Sequence, residues 1–350
     1  MDDFERKLQE SLNCEVHIPQ SVLDKAQLAL EEIRSYQPQQ PKKRFWLGKK
    51  QLAAAAVAVI VLGVAFNQPA IAAIKALLWG NHAGIEKAVD SGYVQNVQTS
   101  YTHSQGIGTR VTSVVIDKSR LALAIDVKFD DVSSVKNAAD MFLDMVITNG
   151  KGNVIFGDGY PQQPVGAMEY TTDLSNKANG ELIYNVLLQS PSSSIPQTNE
   201  LMVKIKSIAL FAQKNSTKPP FKKFAGPWNN NVTLDQHLAK AGGIAYTAKN
   251  DSPDITVTSA QLLPTGLAVK FIIGPAHGND IETAEAQLVD STGKTYQNSG
   301  VMSVDSIQDN KNLVSMVFEV SSFDKIDSFK LIVKYRNGKE SIATLLRAGK

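Results

Sequence analysis

Hydrophobic positions along this chain change their spacing twice, and the changes mark its parts. Phe4, Leu8 and Leu12 recur at every fourth residue, the spacing of one helical stripe. Ile18-Pro19 interrupts it. Ser21 then stands three residues before Asp24, in the manner of a capping box, and Leu23, Ala26, Leu30 and Ile33 predict a second helix with Ala29 and Tyr36 alongside. Residues 37–43, QPQQPKK, are polar and proline-rich and cannot continue that helix. From Leu52 to Phe66 the periodicity vanishes. Those fifteen residues contain no charge, amide or proline, and an apolar run resumes after Asn67-Gln68-Pro69 as far as Ile74. At ~1.5 Å per residue the first run covers roughly 22 Å, short of a ~30 Å hydrocarbon core, and the continuation to Ile74 makes up the difference. Only a helix satisfies its own backbone in lipid, so the stretch predicts a transmembrane helix.

Beyond residue 100 the spacing becomes two. Residues 110–116 are β-branched and apolar, Asp117-Lys118-Ser119 is a turn, and Leu121 to Phe129 alternates. Further strands are expected over 141–147, 154–156, 181–188 and 201–208, with a turn at Asn149-Gly150-Lys151-Gly152. The pattern then repeats. Val111-Thr112-Ser113 returns as Val257-Thr258-Ser259, Leu121-Ala122-Leu123 as Leu267-Ala268-Val269, and Leu201 to Lys204 as Leu331 to Lys334. The 149–152 turn has its counterpart at Ser291 to Lys294. Two domains of one type follow from this repetition. Short strands without long helices between them predict a mainly β protein with two tandem immunoglobulin-like antiparallel β-sandwiches, although a barrel has similar periodicity. The chain thus divides into a cytoplasmic helical arm (1–44), a transmembrane helix with flanks (45–75), a juxtamembrane stalk (76–104) with a short helix at Gly84 to Val89, a first sandwich (105–213), a linker (214–248) and a second sandwich (249–347). The linker carries a short helix from Thr233 to Lys240, with Thr233 as N-cap.

Charge orients the span. Lys42, Lys43, Arg44, Lys49 and Lys50 precede the apolar run, whereas Lys75 stands alone after it until Lys87. Basic residues collect on the cytoplasmic side, so the N-terminus is expected inside and the C-terminal bulk outside the cell membrane. Trp46 and Trp79 fall near the two headgroup levels. A cleaved signal peptide competes, with Ala70-Ile71-Ala72 as its site. The apolar run begins after residue fifty, however, and signal peptides occupy the first ~15–30 residues, which favours an uncleaved anchor. Net charge is only +2, giving no footprint for nucleic acid. The single cysteine, Cys14, leaves the outer part without disulfides, so its stability must come from packed cores.

Candidate chemistry is sparse. Cys14 and His17 are a lone C-x-x-H without the second ligand pair that zinc needs. The five histidines fall in no metalloprotease or nucleophile motif, and Gly106-Ile107-Gly108 lacks a following helix. Asp130-Asp131 and Asp305 to Asp309 lack the spacing of a calcium loop and read as turn carboxylates. No catalytic, cofactor or metal residue is therefore expected, and the protein is not expected to be an enzyme. Two short amphipathic helices make too small a core to fold firmly alone. Phe4, Leu8, Leu12, Leu23, Leu30 and Ile33 are accordingly candidates for helix-in-groove contact with a cytoplasmic partner, with an intramolecular hairpin as the plainer alternative.

Ile18-Pro19-x-x-Val22-x-x-Lys25, the lysine-flanked span ending in Asn67 to Ala72, and the segment from Gln105 through Val114–Ile116 to Phe129 form a set. It resembles membrane-anchored proteins of unknown function from Gram-positive spore-formers, whose genes commonly adjoin extracytoplasmic-function sigma factors. The resemblance implies a single-pass anti-sigma factor whose inner helices hold a sigma factor and whose outer domains register an envelope signal or ligand. The H-x-x-x-C-x-x-C cluster of zinc-type anti-sigma proteins is missing. A membrane-anchored adhesion or wall-binding protein is the alternative.

Overall fold

The computed structural model describes residues 82–97, 99–274, 285–307, 309 and 311–349. The apolar run at 52–66, the helical arm expected at 1–44 and the lysine flank lie outside the described residues. Among the described residues no helix is long and apolar enough to cross a membrane.

The protein is mainly β. Helix α1 (Ala83–Asp90) comes first, with β1 (Gln95–Asn96) and β2 (Thr102–Ser104) after it. The strands β3 (Ile107–Ile116), β4 (Arg120–Phe129), β5 (Asp140–Asn149), β6 (Val154–Gly157), β7 (Ala167–Asp173), β8 (Glu181–Gln189), β9 (Glu200–Phe211) and β10 (Lys222–Thr233) build the first β region. They form two antiparallel sheets. One runs β1-β3-β4-β8-β7, with β2 added to β3, and the other β10-β9-β5-β6. Inward residues of both sheets, among them Leu121, Leu123, Ile125, Leu143, Ile147, Val203, Ile205 and Trp228, share one core.

A short helix, α2 (Gln236–Ala239), leads to β11 (Ile244–Asn250), β12 (Ile255–Leu262), β13 (Leu267–Ile273), β14 (Glu285–Asp290), β15 (Thr295–Ser306), β16 (Asn312–Phe318), β17 (Ser328–Lys334) and β18 (Glu340–Arg347). These close into a barrel in the order β11-β12-β13-β16-β15-β14-β17-β18 around a second core of Phe271, Leu288, Phe318, Phe329 and Leu331.

The second region was expected as a two-sheet sandwich, and its closure is the main correction. Two strands cause it. Tyr246 to Asn250 of β11 pair with β18, while Ile244 and Ala245 pair with β12. The twelve residues of β15 pair with β14 at one end and β16 at the other, with a register shift between Asn298 and Met302 and Gly300 at φ +78° between them. Each strand thus crosses a gap that the first region leaves open, and closure removes the exposed edges of a sheet.

The repetition is structural as well. The order β3-β4-β8-β7 matches β12-β13-β16-β15, and β10-β9-β5-β6 matches β18-β17-β14-β15. The repeated Val-Thr-Ser is a β-bulge in both: the register shifts between Val111 and Ser113 and again between Val257 and Ser259. The bulged hydroxyls donate across the ladder, Thr112 to the Ala124 carbonyl at 3.2 Å and Thr258 to that of Lys270 at 3.1 Å. The β5–β6 and β14–β15 turns also share a pattern. Asn149 Oδ1 accepts from the Lys151 and Asn153 amides, and Asp290 Oδ1 from those of Thr292 and Lys294. The true counterpart of Asn149 is therefore Asp290, one residue before the turn read from the sequence.

Two expected connections belong to domains. Residues 214–248, expected as linker, contain the whole of β10, whose Trp228 is fully buried and donates Nε1–H to the Ile107 carbonyl at 2.9 Å. Gly226-Pro227 occupy a register shift between Ala225 and Trp228, so the strand continues past them. Thr233 ends that strand, and Asp235 is the N-cap of α2. The expected stalk contains α1, whose Ile85, Ala88 and Val89 are fully buried in the first core. Strand β7 went unread because its short run follows a glycine- and proline-rich loop.

Candidate functional site

The two β domains meet at equivalent corners. The β3–β4 turn of the first faces the β12–β13 turn of the second, and α1 begins beside them. Asp117, 3% exposed, accepts from the Thr265 backbone amide at 2.9 Å and its hydroxyl at 2.6 Å, while its other oxygen accepts from the Ser119 and Arg120 amides. The same aspartate therefore shapes its own turn and docks the barrel. Arg120 is 1% exposed. Its Nη1 donates to the Thr265 carbonyl at 2.7 Å and to Glu319 Oε2 at 3.2 Å, and its Nη2 donates to Glu319 Oε1 at 2.5 Å. A bidentate guanidinium–carboxylate pair out of water is strong only when all its polar atoms find partners, and here the carboxylate finds them.

Glu319 gains two more donors from the chain just before and within α1. The Gly84 amide donates to Oε2 at 3.0 Å, and His82 Nδ1 lies 3.2 Å from Oε1. On its other side, His82 Nε2 lies 3.2 Å from Oε2 of Glu169 on β7, whose Oε1 accepts from Gln189 at 2.9 Å. Burial pushes the Glu319 carboxyl up, but Arg120 and His82 outweigh it and hold it below the usual carboxylate range. Gly84 is required by space: a Cβ there would sit 2.4 Å from the Thr265 carbonyl oxygen. The start of α1 is thus held between both domains, and Tyr93 beyond its end donates to the Ile116 carbonyl at 2.6 Å.

None of this was anticipated from the sequence. Arg120 falls between the expected turn and the expected strand, and its partners lie 199 and 145 positions away. One signal was present. In the alignment of Leu121 with Leu267, Arg120 replaces Gly266, an asymmetry at an otherwise repeated corner, and Arg120 Nη1 lies 3.6 Å from where a Gly266 Cβ would stand. The residues singled out earlier, Phe4, Leu8, Leu12, Leu23, Leu30 and Ile33 with Lys42, Lys43, Arg44, Trp46, Lys49, Lys50 and Trp79, lie outside the described residues, as do Cys14 and His17. Asp131 accepts from the Ser133 amide and hydroxyl and from the Ser134 hydroxyl, a helix-capping arrangement. No three His, Cys, Asp or Glu side chains among the described residues converge to hold a metal.

A second feature is a cleft of about 800 Å³ on the outer face of β5 and β9. Phe142, Phe156, Met168 and Phe211 give it apolar walls, the loop Asp158 to Pro161 forms one side, and Asp144, Ser207 and Lys223 supply polar groups. Asp144 is paired with Lys206 at 3.4 Å.

Residues 42–129 match DUF4179, a domain of unknown function. The match runs from the basic flank to the last residue of β4, and so includes His82, Asp117 and Arg120 but neither Thr265 nor Glu319. Comparison with curated proteins gives no match. Among solved structures the chain is similar to the conserved domain protein from Bacillus anthracis, at 10% identity and a TM-score of 0.43, over 78% of this chain and 94% of that one.

Proposed function

We propose that this chain is a single-pass membrane regulatory protein, an anti-sigma factor in function. Its cytoplasmic helices bind a sigma factor through Phe4, Leu8, Leu12, Leu23, Leu30 and Ile33, and its outer β domains respond to an envelope signal. The lipid bilayer is its second partner, and nucleic acid is not bound directly. One observation carries the reading: the segment that follows the apolar run, from His82 to Tyr93, is gripped where the two domains meet. A change between the domains therefore acts directly on the stretch of chain nearest the membrane. We also read both domains as immunoglobulin-like. The order β3-β4-β8-β7 opposite β6-β5-β9-β10 corresponds to strands A-B-E-D opposite C′-C-F-G, and the barrel keeps that order with its two gaps bridged.

Co-purification of the full-length membrane protein with an extracytoplasmic-function sigma factor tests the regulatory reading. The wild type is expected to retain the sigma factor, and a Leu23→Asp, Leu30→Asp variant to lose it while its outer domains stay folded. A wild-type protein that retains no sigma factor contradicts this. The alternative, surface adhesion or wall binding, is favoured by the apolar cleft on β5 and β9; under it the double substitution leaves function unchanged.

A further inference from the structure

We propose that His82 makes the joint between the two β domains a proton-operated latch, closed while its ring is an imidazolium and loosened when the ring is neutral. The ring is 4% exposed and has a carboxylate oxygen 3.2 Å from each of its nitrogens, Glu319 at Nδ1 and Glu169 at Nε2. Ionised carboxylates only accept, and a neutral imidazole has one N–H to give. Only the imidazolium satisfies both sides. A neutral ring sets a nitrogen lone pair against one of the two carboxylates.

The groups touching the ring come from both sides of the joint, and the turn Ser322–Asp324, also packed on α1, has its Asp324 accepting from the Ser321 amide. Glu169 comes from β7 and is held by Gln189 of β8. Glu319 follows β16 and carries the guanidinium of Arg120 from β4 and the Gly84 amide from α1. Asp117 lies on the far side of the joint, bound to Thr265. With the ring protonated, His82 and Arg120 offset Glu169 and Glu319. Loss of one proton leaves two carboxylates against one guanidinium. The closed state also leaves Arg120 Nε and Gln189 Oε1 buried without protein partners, on residues directly opposed in the β4–β8 ladder. Incomplete satisfaction of this kind suits a joint that opens better than a permanent weld.

The sign follows from the geometry. The contribution of His82 to closure is present while both ring nitrogens carry protons and is lost when one is given up, so rising pH loosens the joint. Opening frees the start of α1, at His82 and Gly84, from Glu319. This inference rests on the joint alone and holds whether or not the cytoplasmic arm binds a sigma factor.

The test is hydrogen exchange by mass spectrometry on the full chain in detergent, at about pH 5.5 and about pH 8.5, corrected for intrinsic exchange rates. Protection of the Gly84 amide, which donates to Glu319, is expected to fall about tenfold at the higher pH, the effect of losing roughly 1.4 kcal/mol. Glu169→Gln replaces one carboxylate by an amide that can donate to a neutral Nε2, leaving Nδ1–H for Glu319. That variant is expected to be protected equally at both values. His82→Gln is expected to lose the pH dependence as well. Protection in the wild type that does not change with pH overturns the proposal, as does an undiminished change in either variant.

Discussion

Arg120 and Glu319 form an ion pair whose two members are both buried, at 1% and 7% exposure. Their worth shows on removal of one partner. Arg120→Ala strands a carboxylate among buried groups and is expected to destabilise the protein by about 3–5 kcal/mol in chemical unfolding. Replacing both, Arg120→Met with Glu319→Met, removes the stranded charge and is expected to cost far less than either change alone. Equal, additive losses would mean that the two side chains do not act as a pair. On the acid side the sign is set by Glu319. Its lowered value means that the stability it contributes is complete above the ordinary carboxylate range and is lost as pH falls through that lowered value. Under the proposed latch, loss of the His82 proton loosens the joint in the opposite direction of pH.

At the scale of elements the two domains are variations on one strand order. The bulge threonines supply the clearest equivalence: Thr112 and Thr258 make the same hydroxyl-to-carbonyl bond across the same ladder position. Thr112→Val and Thr258→Val keep the β-branched shape and delete that bond. Each is expected to cost about 0.5–1 kcal/mol in thermal unfolding. A difference above about 1 kcal/mol between the two sites would show that they are not equivalents. Much of this was legible in the sequence, since a β-branched apolar run marks β3, alternation marks β4, further strand runs mark β5, β8 and β9, and the repeated Val-Thr-Ser marks β12. What escaped did so for physical reasons. β10 is interrupted by Gly226-Pro227 and rich in asparagine, features of a turn that here form a bulge. Barrel closure depends on β11 and β15 each changing partner partway along, which local composition does not encode. α1 reads as an isolated short helix until its buried face, Ile85, Ala88 and Val89, is placed on the first core. The joint itself joins His82 to Glu319 across 237 positions, and no periodicity connects them.

For the whole molecule, the consequence is a pair of β domains coupled through the chain that enters them. Two separate apolar cores give each domain its own stability, while the contact at the joint is mostly polar and directional. Such a contact transmits a change in relative orientation rather than absorbing it, because hydrogen bonds of fixed geometry are either made or broken. The central claim is that Arg120 and Glu319 hold the two domains in one orientation around His82 and Gly84. Electron–electron distance measurement between spin labels at Lys204 on β9 and Lys330 on β17, on the full chain with Cys14→Ser, tests it most directly. A single narrow distance distribution is expected in the labelled parent protein, broadening when Arg120→Ala is added; a distribution already broad in the parent, or one unchanged by Arg120→Ala, would contradict it.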